Sequence, residues 1–192
     1  MKKLLLTTGL IFVFAAPNIA HAADNYTIDA SHTNILMSVS HIGFSDMVLE
    51  ALKPEGTVVF NQENVQNSQV NVTLKAQHID GDDAKFNDHL HSADLFDAAN
   101  FPEITFNSTK VEVTGNNTGI VTGDLTLLGV TKPVSLDVTF NKAGVNPFSQ
   151  AETIGFTASG SLKRSDFGMG YGLPAIGDNI AISINLEAIK AK

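Results

Sequence analysis

The sequence predicts an all-β protein: an extended, closed antiparallel barrel of about eight strands, with one short helix over the barrel. Three observations support this fold class. From residue 25 onward, segments of about 8 to 12 residues alternate apolar with polar side chains, turn signals separate these segments, and only one segment has helical periodicity. Many short alternating strands with short links are typical of a sheet that closes on itself.

The first 22 residues have the pattern of a cleaved export signal. Two lysines precede an apolar run, and a small-x-small cleavage pattern follows at 20–22. We therefore expect residues 1–22 to be removed as a signal peptide and residues 23–192 to form a single domain in the periplasm. The apolar run is too short to span a bilayer as a mature helix.

Composition excludes several classes of function. The signal carries two of the 12 basic residues and none of the 20 acidic ones, so residues 23–192 have a net charge of −10. That charge opposes binding to nucleic acid and to anionic membrane surfaces. Because the sequence has no cysteine, we expect neither disulfides nor a lipid-anchored amino terminus, and stability must come from the core.

Four strands show the alternation most clearly. The apolar faces of these strands are Ile35, Met37 and Val39; Val70, Val72 and Leu74; Val134, Leu136, Val138 and Phe140; and Ile180, Ile182, Ile184 and Leu186. Turn signals lie at 54–56, 115–117, 131–133, 146–147 and 168–177. The pattern predicts antiparallel strands with one face toward a common interior and the other toward water.

The aromatic residues predict an apolar interior. The chain has 12 phenylalanines, two tyrosines and no tryptophan, so most of its large side chains lack a polar group. A barrel of about eight strands has an interior that side chains nearly fill or that holds one elongated ligand. Size alone does not choose between a packed and a ligand-binding barrel.

The central stretch from 88 to 106 is the one place where charged, histidine and aromatic residues crowd together. Asp82 and Asp83 can cap a short helix just before it. The predicted apolar stripe of this helix is Phe86, Leu90 and Ala93. Pro102 ends the helical pattern, and a period-two pattern begins at Glu103. We interpret the helix as an amphipathic plug that leads into a strand.

Five motifs occur in a specific order along the chain. They are YTID at 26–29 with SH at 31–32, SH at 40–41, DHLHSADLFD at 88–97 followed by FPEITFNST at 101–109, GDLT at 123–126 with LGVTK at 128–132, and RSDFG at 164–168. In this order they resemble the YceI-like family of periplasmic polyisoprenoid-binding proteins. The resemblance implies a lipocalin-like barrel whose hydrophobic pore holds the isoprenoid chain of a lipid, without cofactor or catalysis.

The chain departs from that family at two places. Tyr26 stands where a tryptophan is usual, and Phe86-Asn87 stands where an arginine commonly precedes the Asp-His-Leu step. If that arginine helps to hold a head group in other members, a quinone-like or fatty-acyl ligand is more expected here than a phosphate-bearing lipid. The expected function is periplasmic binding, carriage or storage of a long-chain apolar lipid, polyisoprenoid or quinone-like.

The candidate site residues follow from these patterns. The predicted lipid-binding residues are Ile35, Met37, Val39, His41, Leu74, Phe86, Leu90, Phe96, Phe101, Ile104, Phe106, Leu125, Leu127, Leu136, Val138, Phe156, Met169 and Tyr171. The predicted polar rim or structural ion pair comprises His32, Asp88, His89, Arg164 and Asp166. We expect the plug at 86–101 and a mobile flap at 167–173 to border the pore entrance.

Arg164 is the only arginine in the sequence. Its planar fork of donors is not reproduced by lysine, so its position indicates a need for several hydrogen bonds at once. The expected partner is Asp166 or Asp88, which would tie the flap to the plug. The polar head of a lipid is the alternative partner.

Metal and catalytic sites are not supported. In a helix, His89 and His91 point about 200° apart and cannot share one zinc ion, and no HExxH pattern or cysteine pair supports a zinc site. His32 and His41 are expected to be hydrogen-bonded structural residues, with a polar contact at the pore mouth as the alternative. The sequence has no GxSxG elbow, and we expect no enzyme activity.

Two other kinds of barrel are alternatives to a lipid-carrying barrel. An outer-membrane barrel needs aromatic girdles that two tyrosines and no tryptophan do not supply, so we expect no stable membrane insertion. A packed barrel without a ligand, acting as a structural or interaction module of the envelope stress response, stays open as the alternative function. The oligomeric state is also open, with a homodimer among the options.

Overall fold

A computed structural model describes residues 23–191 of the protein, and the predicted signal peptide at 1–22 lies outside them. The strands are β1 (Asp24–Ile28), β2 (Asn34–His41), β3 (Ser45–Ala51), β4 (Glu55–Phe60), β5 (Gln69–Lys75), β6 (Ile79–Asp80), β7 (Glu103–Val113), β8 (Thr118–Leu127), β9 (Val130–Val145), β10 (Glu152–Lys163) and β11 (Ile176–Lys190). The helices are α1 (Ala84–Leu90) and three single 3-10 turns at Val65–Asn67, Ala76–His78 and Arg164–Phe167. Within this part of the chain, no helix has the length and apolar character needed to cross a membrane.

Eight strands close into a barrel. Antiparallel pairing runs in the order β1, β4, β5, β7, β8, β9, β10 and β11, and β11 pairs back with β1. The other three strands extend the wall at one end, where β2 pairs with β11, β3 with β2, and β6 with β3. The predicted closed antiparallel barrel of about eight strands with one short α-helix is confirmed.

The length of the later strands makes the barrel elongated. β9 has 16 residues and β11 has 15, so at about 3.3 Å per residue each spans roughly 50 Å. β11 pairs with β2 along 176–185 and with β1 along 188–190. One long strand therefore supports two short ones, and the wall continues past the break between β1 and β2.

Helix α1 begins where its sequence predicts. The carboxylate of Asp83 accepts a hydrogen bond from the backbone nitrogen of Phe86 at 2.8 Å, which caps the helix. Leu90 is buried, as the predicted stripe requires, but Ala93 lies beyond the helix and is exposed. The helix is shorter than predicted because the hydroxyl of Ser92 bonds the carbonyl of His89 at 2.8 Å and ends the helical pattern.

Two hydrophobic clusters stabilise the two ends of the barrel. The cluster at the α1 end includes Ile35, Leu49, Ile79, Leu90, Phe96, Ile104, Leu127, Phe167 and Met169. The cluster at the other end consists of Tyr26, Ile28, Val58, Phe60, Ile154 and Ala188. In the second cluster the rings of Phe60, Phe140 and Phe156 meet across the interior, with centroids 5.4 to 5.6 Å apart. Residues of both clusters also line the cavity between the walls.

Candidate functional site

A cavity of about 1140 Å³ lies inside the barrel. At one end its wall includes His89 of α1 and Tyr171 of the segment before β11, and at the other end it includes Gly115 and Asn117 of the β7–β8 hairpin. The cavity therefore extends along the barrel rather than occupying one point in it. Its ionisable wall residues are two histidines, one glutamate, one arginine and one tyrosine, while most of the wall is aliphatic or aromatic.

All but one of the residues predicted to bind lipid lie on this wall. They are Ile35, Met37, Val39, His41, Leu74, Phe86, Leu90, Phe96, Ile104, Phe106, Leu125, Leu127, Leu136, Val138, Phe156, Met169 and Tyr171. Strand alternation explains the placement, since residues two apart share the inner face. Met37 and Phe106 face inward yet stay partly exposed, because they border open space rather than a packed core.

Phe101 is the exception and lies off the cavity. A Cβ atom on Gly129 would lie 2.8 Å from Cε1 of Phe101, so this ring packs against the β8–β9 turn. Gly129 has a φ of 73°, a conformation that glycine adopts readily, and it has no side chain to obstruct the ring. Phe101 precedes β7, so the alternation that places Ile104 and Phe106 on the wall does not extend to it.

The wall also contains residues beyond those predicted to bind lipid. They are chiefly Met47, Leu49, Val58, Phe60, Val72, Val121, Phe140, Ile180, Ile182, Ile184 and Leu186. The alternation of β11 was visible in the sequence and would have identified its four members. Alternation also identified Phe140, whereas Phe60 is harder to recognise, because its ring contact with Phe140 joins β4 to β9, which are not neighbours in the sheet order.

Three polar ring side chains, His41, His89 and Tyr171, mark the cavity mouth at the α1 end. The rings of His89 and Tyr171 are in edge-to-face contact, with centroids 4.9 Å apart. This contact joins α1 to the segment before β11. His91 points elsewhere, with Nε2 2.9 Å from the carbonyl oxygen of Ile79. Among residues 23–191, no group of three or more histidine, aspartate and glutamate side chains is placed to hold a metal ion.

Arg164 is buried, with 3% of its surface exposed, and its side chain binds the backbone. Nε donates to the carbonyl of Gly177 at 2.8 Å, Nη1 to Met169 at 3.1 Å, and Nη2 to Ile176 at 3.1 Å. Burial lowers the pKa of Arg164, and the carboxylate of Asp178 partly opposes that shift. The need for several simultaneous hydrogen bonds is met by carbonyls and not by an acid.

The predicted ion pair of Arg164 with Asp166 or Asp88 is wrong. Asp166 is exposed and lies 3.7 Å from Nζ of Lys132, while Asp88 is exposed on the outer side of α1. Three carbonyls already occupy the guanidinium, and adding a buried carboxylate would desolvate a second charge.

His32 also lies away from the cavity. Its Nδ1 atom is 2.8 Å from the carboxylate of Asp29, and both side chains lie at the break between β1 and β2. The hydrogen bond to Asp29 raises the pKa of His32. Hydrogen bonds from Ser31 and His32 lower the pKa of Asp29 despite partial burial, the Ser31 side chain contributing most. This pair supports the turn between two strands and does not border the cavity mouth.

The segment predicted to be a flap is anchored at its first half. Phe167 and Met169 are 2% and 6% exposed and belong to the α1-end cluster. Tyr171 and Leu173 are 50% and 37% exposed. The backbone nitrogen of Ile176 closes the segment by bonding the carbonyl of Gly172 at 2.8 Å. Only the second half of the segment therefore presents exposed side chains at the cavity mouth.

A family model for the YceI-like domain matches residues 26–188. Among relatives, the UPF0312 protein of Vibrio campbellii is 38% identical over 194 residues, which cover 99% of this chain and 100% of the relative. The family match extends from β1 to β11, and the relative covers nearly the whole chain.

Solved structures share the same fold. BcnA of Burkholderia cenocepacia has a TM-score of 0.76 at 24% identity, covering 83% of this chain and 98% of that one. A polyisoprenoid-binding domain from Saccharophagus degradans has a TM-score of 0.68 at 12% identity, covering 89% of this chain and 100% of that one. With the family model matched from β1 to β11 and a relative at 38% identity over nearly the full length, the chain belongs to the YceI-like family.

Proposed function

We propose that the protein binds one long apolar lipid in the barrel cavity and carries or stores it in the periplasm without chemical change. The observation that carries this proposal is an apolar space of about 1140 Å³ inside the barrel. Protein interiors are normally close-packed, so a barrel that served only as a structural or interaction module would fill this space with side chains. The unfilled, elongated interior favours a ligand of matching shape.

Burial of the tail supplies enough free energy for binding. Each buried methylene contributes about 0.8 kcal/mol, so about twenty buried carbons contribute roughly 16 kcal/mol. Association and chain ordering oppose this by about 4 to 15 kcal/mol. Where these costs are about 8 kcal/mol or less, the remaining free energy of about 8 kcal/mol or more corresponds to micromolar or better affinity without a metal, a nucleotide or a covalent bond.

The polar groups near the cavity favour a neutral head group. Asn87, at the place where the family commonly has an arginine, donates to the carboxylate of Asp80 at 2.5 Å and accepts from the backbone nitrogen of Gly81 at 2.7 Å. Its side chain therefore ties α1 to the preceding turn and does not line the cavity. Arg164 is occupied by carbonyls. The arginine on the cavity wall thus directs most of its donors to the backbone and offers a phosphate little, whereas a quinone-like head suits the rings of His89 and Tyr171.

The hydrocarbon part is best matched by a prenyl chain. The Saccharophagus domain with the same fold is polyisoprenoid-binding, which supports this class for the tail. A polyisoprenoid or quinone-like lipid is thus the proposed ligand, and a fatty-acyl lipid is the second class to test. Export with cleavage after residue 22 belongs to the same proposal and is tested by the intact mass of the secreted protein.

Native mass spectrometry of protein purified from its own periplasm, without detergent, tests the proposal. We expect a complex with one lipid per barrel and recovery of that lipid by organic extraction. Purified protein stripped of lipid should take up a long-chain quinone and be stabilised against unfolding by it. A ligand-free mass together with failure to take up any offered prenyl or acyl lipid would refute lipid carriage.

A further inference from the structure

Four large apolar side chains are exposed beside the cavity mouth. Ile42 and Phe44, in the turn between β2 and β3, are 53% and 88% exposed, and Tyr171 and Leu173 are 50% and 37% exposed. The backbone nitrogen of Ile42 donates to the carbonyl of Ala175 at 3.0 Å, which joins the two segments. These four residues form the apolar rim of the mouth. Tyr171 belongs both to the rim and to the cavity wall, so the two surfaces are continuous.

The backbone of Ile42 is unusual for its side chain. Ile42 and Gly43 have φ values of 56° and 77°, the left-handed conformation of a tight hairpin turn in which asparagine is preferred at the first position. A β-branched residue is disfavoured in this conformation. The backbone conformation of Ile42 therefore opposes folding. Burial does not offset this cost, because much of the side chain faces solvent. Strain of this kind points to a role outside folding.

A second turn in the same barrel provides the comparison. Leu128 and Gly129, between β8 and β9, have nearly the same φ values of 52° and 73°. There the side chain of Leu128 packs against the α1-end cluster, so burial offsets the unfavourable backbone. Ile42 belongs to neither hydrophobic cluster. Leu128 and Ile42 thus occupy the same position in two turns of the same kind. The side chain of Leu128 stabilises the fold, and the side chain of Ile42 does not.

The rim segments carry no charge. Residues 167–177 and 42–45 contain no lysine, arginine, aspartate or glutamate, whereas charged residues make up 17% of the whole chain. Uncharged turns with an aromatic tip match the boundary between the head groups and the acyl chains of a neutral bilayer. Tyrosine suits this boundary because it has an apolar ring and a polar hydroxyl.

We infer that the apolar rim docks the protein on a neutral lipid bilayer. This bilayer is the reservoir that supplies lipid to the cavity and receives lipid from it. This inference rests on the proposed function, since an apolar tail that moved between bilayer and cavity through water would lose its burial on the way. With the rim inserted, Tyr171 and Ile176 lead from the bilayer to the cavity wall. The lipid tail then passes from one apolar environment directly into another.

A control residue is provided by the opposite end of the molecule. Phe148, at the tip of the β9–β10 hairpin, is 95% exposed and belongs to neither the rim nor the cavity wall. The end of β9 at Val145 lies about 17 Å beyond Phe140, the last cavity residue on that strand, at about 3.3 Å per residue. Phe148→Ser therefore removes an equally exposed phenylalanine without touching the mouth.

The test uses residues 23–192 and vesicles of phosphatidylcholine containing long-chain ubiquinone. The double variant Ile42→Asn, Phe44→Ser is expected to reduce co-sedimentation with vesicles, and the rate of quinone uptake from them, by about tenfold or more. Its affinity for geranylgeraniol added from ethanol should match that of the wild type. Ile42→Asn alone should raise the melting temperature by about 2 °C or more, since asparagine accepts the turn. Phe148→Ser should behave as the wild type in every assay.

Unchanged vesicle binding by the double variant, no vesicle binding by the wild type, or equal loss with Phe148→Ser would each overturn the docking surface. If the wild type still binds geranylgeraniol in those cases, the proposed lipid-binding function stands and only the rim has been misassigned. If the wild type binds neither geranylgeraniol nor vesicle-borne quinone, the proposed function fails as well.

Discussion

Arg164 fixes the segment at the cavity mouth by bonding to its backbone at both ends. Met169 lies just after the 3-10 turn, and Ile176 and Gly177 lie at the start of β11, yet all three carbonyls accept from the same guanidinium. A planar fork can satisfy several carbonyls at once without a compensating acid. The residues between, 170–175, are thereby held in position while their side chains remain available at the mouth.

Replacing Arg164 with glutamine is expected to lower the free energy of unfolding by about 3 kcal/mol, because buried carbonyls lose their donors. Arg164→Lys retains the charge, but one nitrogen cannot reach three carbonyls in this geometry, so it should recover less than half of that loss. Urea denaturation of both variants measures the difference. Full recovery by lysine would show that charge, and not the fork, is what the site requires.

The same measurement separates backbone bonding from ion pairing. Asp166 contacts Lys132 and not Arg164. The effects of Asp166→Asn and Arg164→Gln should therefore add to within about 0.5 kcal/mol, as they do for residues without shared partners. A larger coupling energy would indicate that the two side chains interact after all.

The sequence predicts that Arg164 is structurally important, but it does not predict its partners. Being the only arginine, it is conspicuous, and a guanidinium with several N–H donors requires several acceptors. Backbone carbonyls, however, carry no sequence signature, and these three come together only when residues 168–175 turn back to β11. Phe101 was misplaced for a similar reason, since its contact with Gly129 depends on a turn elsewhere in the chain.

At the scale of elements, α1 depends on its cap and on tertiary packing. With 7 residues it is too short to be stable by itself. Its stability comes from the Asp83 cap at the start and from Leu90, which is 3% exposed within the α1-end cluster. The helix in turn places Phe86 and His89 on the cavity wall. Loss of the Asp83 cap is therefore expected to disturb the cavity mouth as well as the helix.

Asp83→Ala is expected to lower the free energy of unfolding by about 1 kcal/mol, because the backbone nitrogen of Phe86 loses its acceptor. Asp88→Ala is the matched control: it removes a carboxylate from the exposed side of the same helix and should change stability by less than about 0.5 kcal/mol. Thermal unfolding of the two variants compares them directly. Equal effects would mean that helix charge matters and the cap does not.

Alternation predicted the faces of β2, β9 and β11, because each has one side on the cavity and one on water. Alternation could not predict which neighbours the first four strands pair with. The turn signal at 54–56 separates β3 from β4, but only the assembled barrel shows that β3 pairs with β2 while β4 pairs with β1. Those partners are set by the length of β11, to which β1 and β2 both attach.

At the scale of the whole molecule, the barrel is stabilised at its ends and by its closing seam, so the middle can stay unfilled. The seam between β1 and β11 is short, with three residue pairs from Tyr26 to Ile28. Beside it, Nζ of Lys190 lies 3.0 Å from Asp24 and 2.9 Å from Glu152, and these carboxylates raise the pKa of Lys190. With both ends packed and the ring closed, the fold does not require a filled centre.

Ala158 is the position where this independence can be tested. It lies on the cavity wall, paired with Val138 and Ile184, one inward step along β10 from Phe156. Because the ring of Phe156 reaches Phe60 across the interior at 5.6 Å, a large ring at 158 can also span the passage. Ala158→Trp should lower occupancy by a long-chain quinone at least about tenfold, while the ligand-free protein melts at the same or a higher temperature, since the new ring gains contacts in an apolar void.

Ser159→Trp is the matched control, since it places the same ring one residue away on the exposed face of β10. Quinone occupancy by native mass spectrometry should be unchanged in this variant. Equal loss in both variants would mean that the strand, and not the cavity, had been disturbed. Full occupancy in Ala158→Trp would place the lipid elsewhere on the molecule. Loss confined to Ala158→Trp, with the fold intact, would show that the open centre of the barrel takes the ligand and that filling it leaves the packing and the seam that stabilise the wall undisturbed.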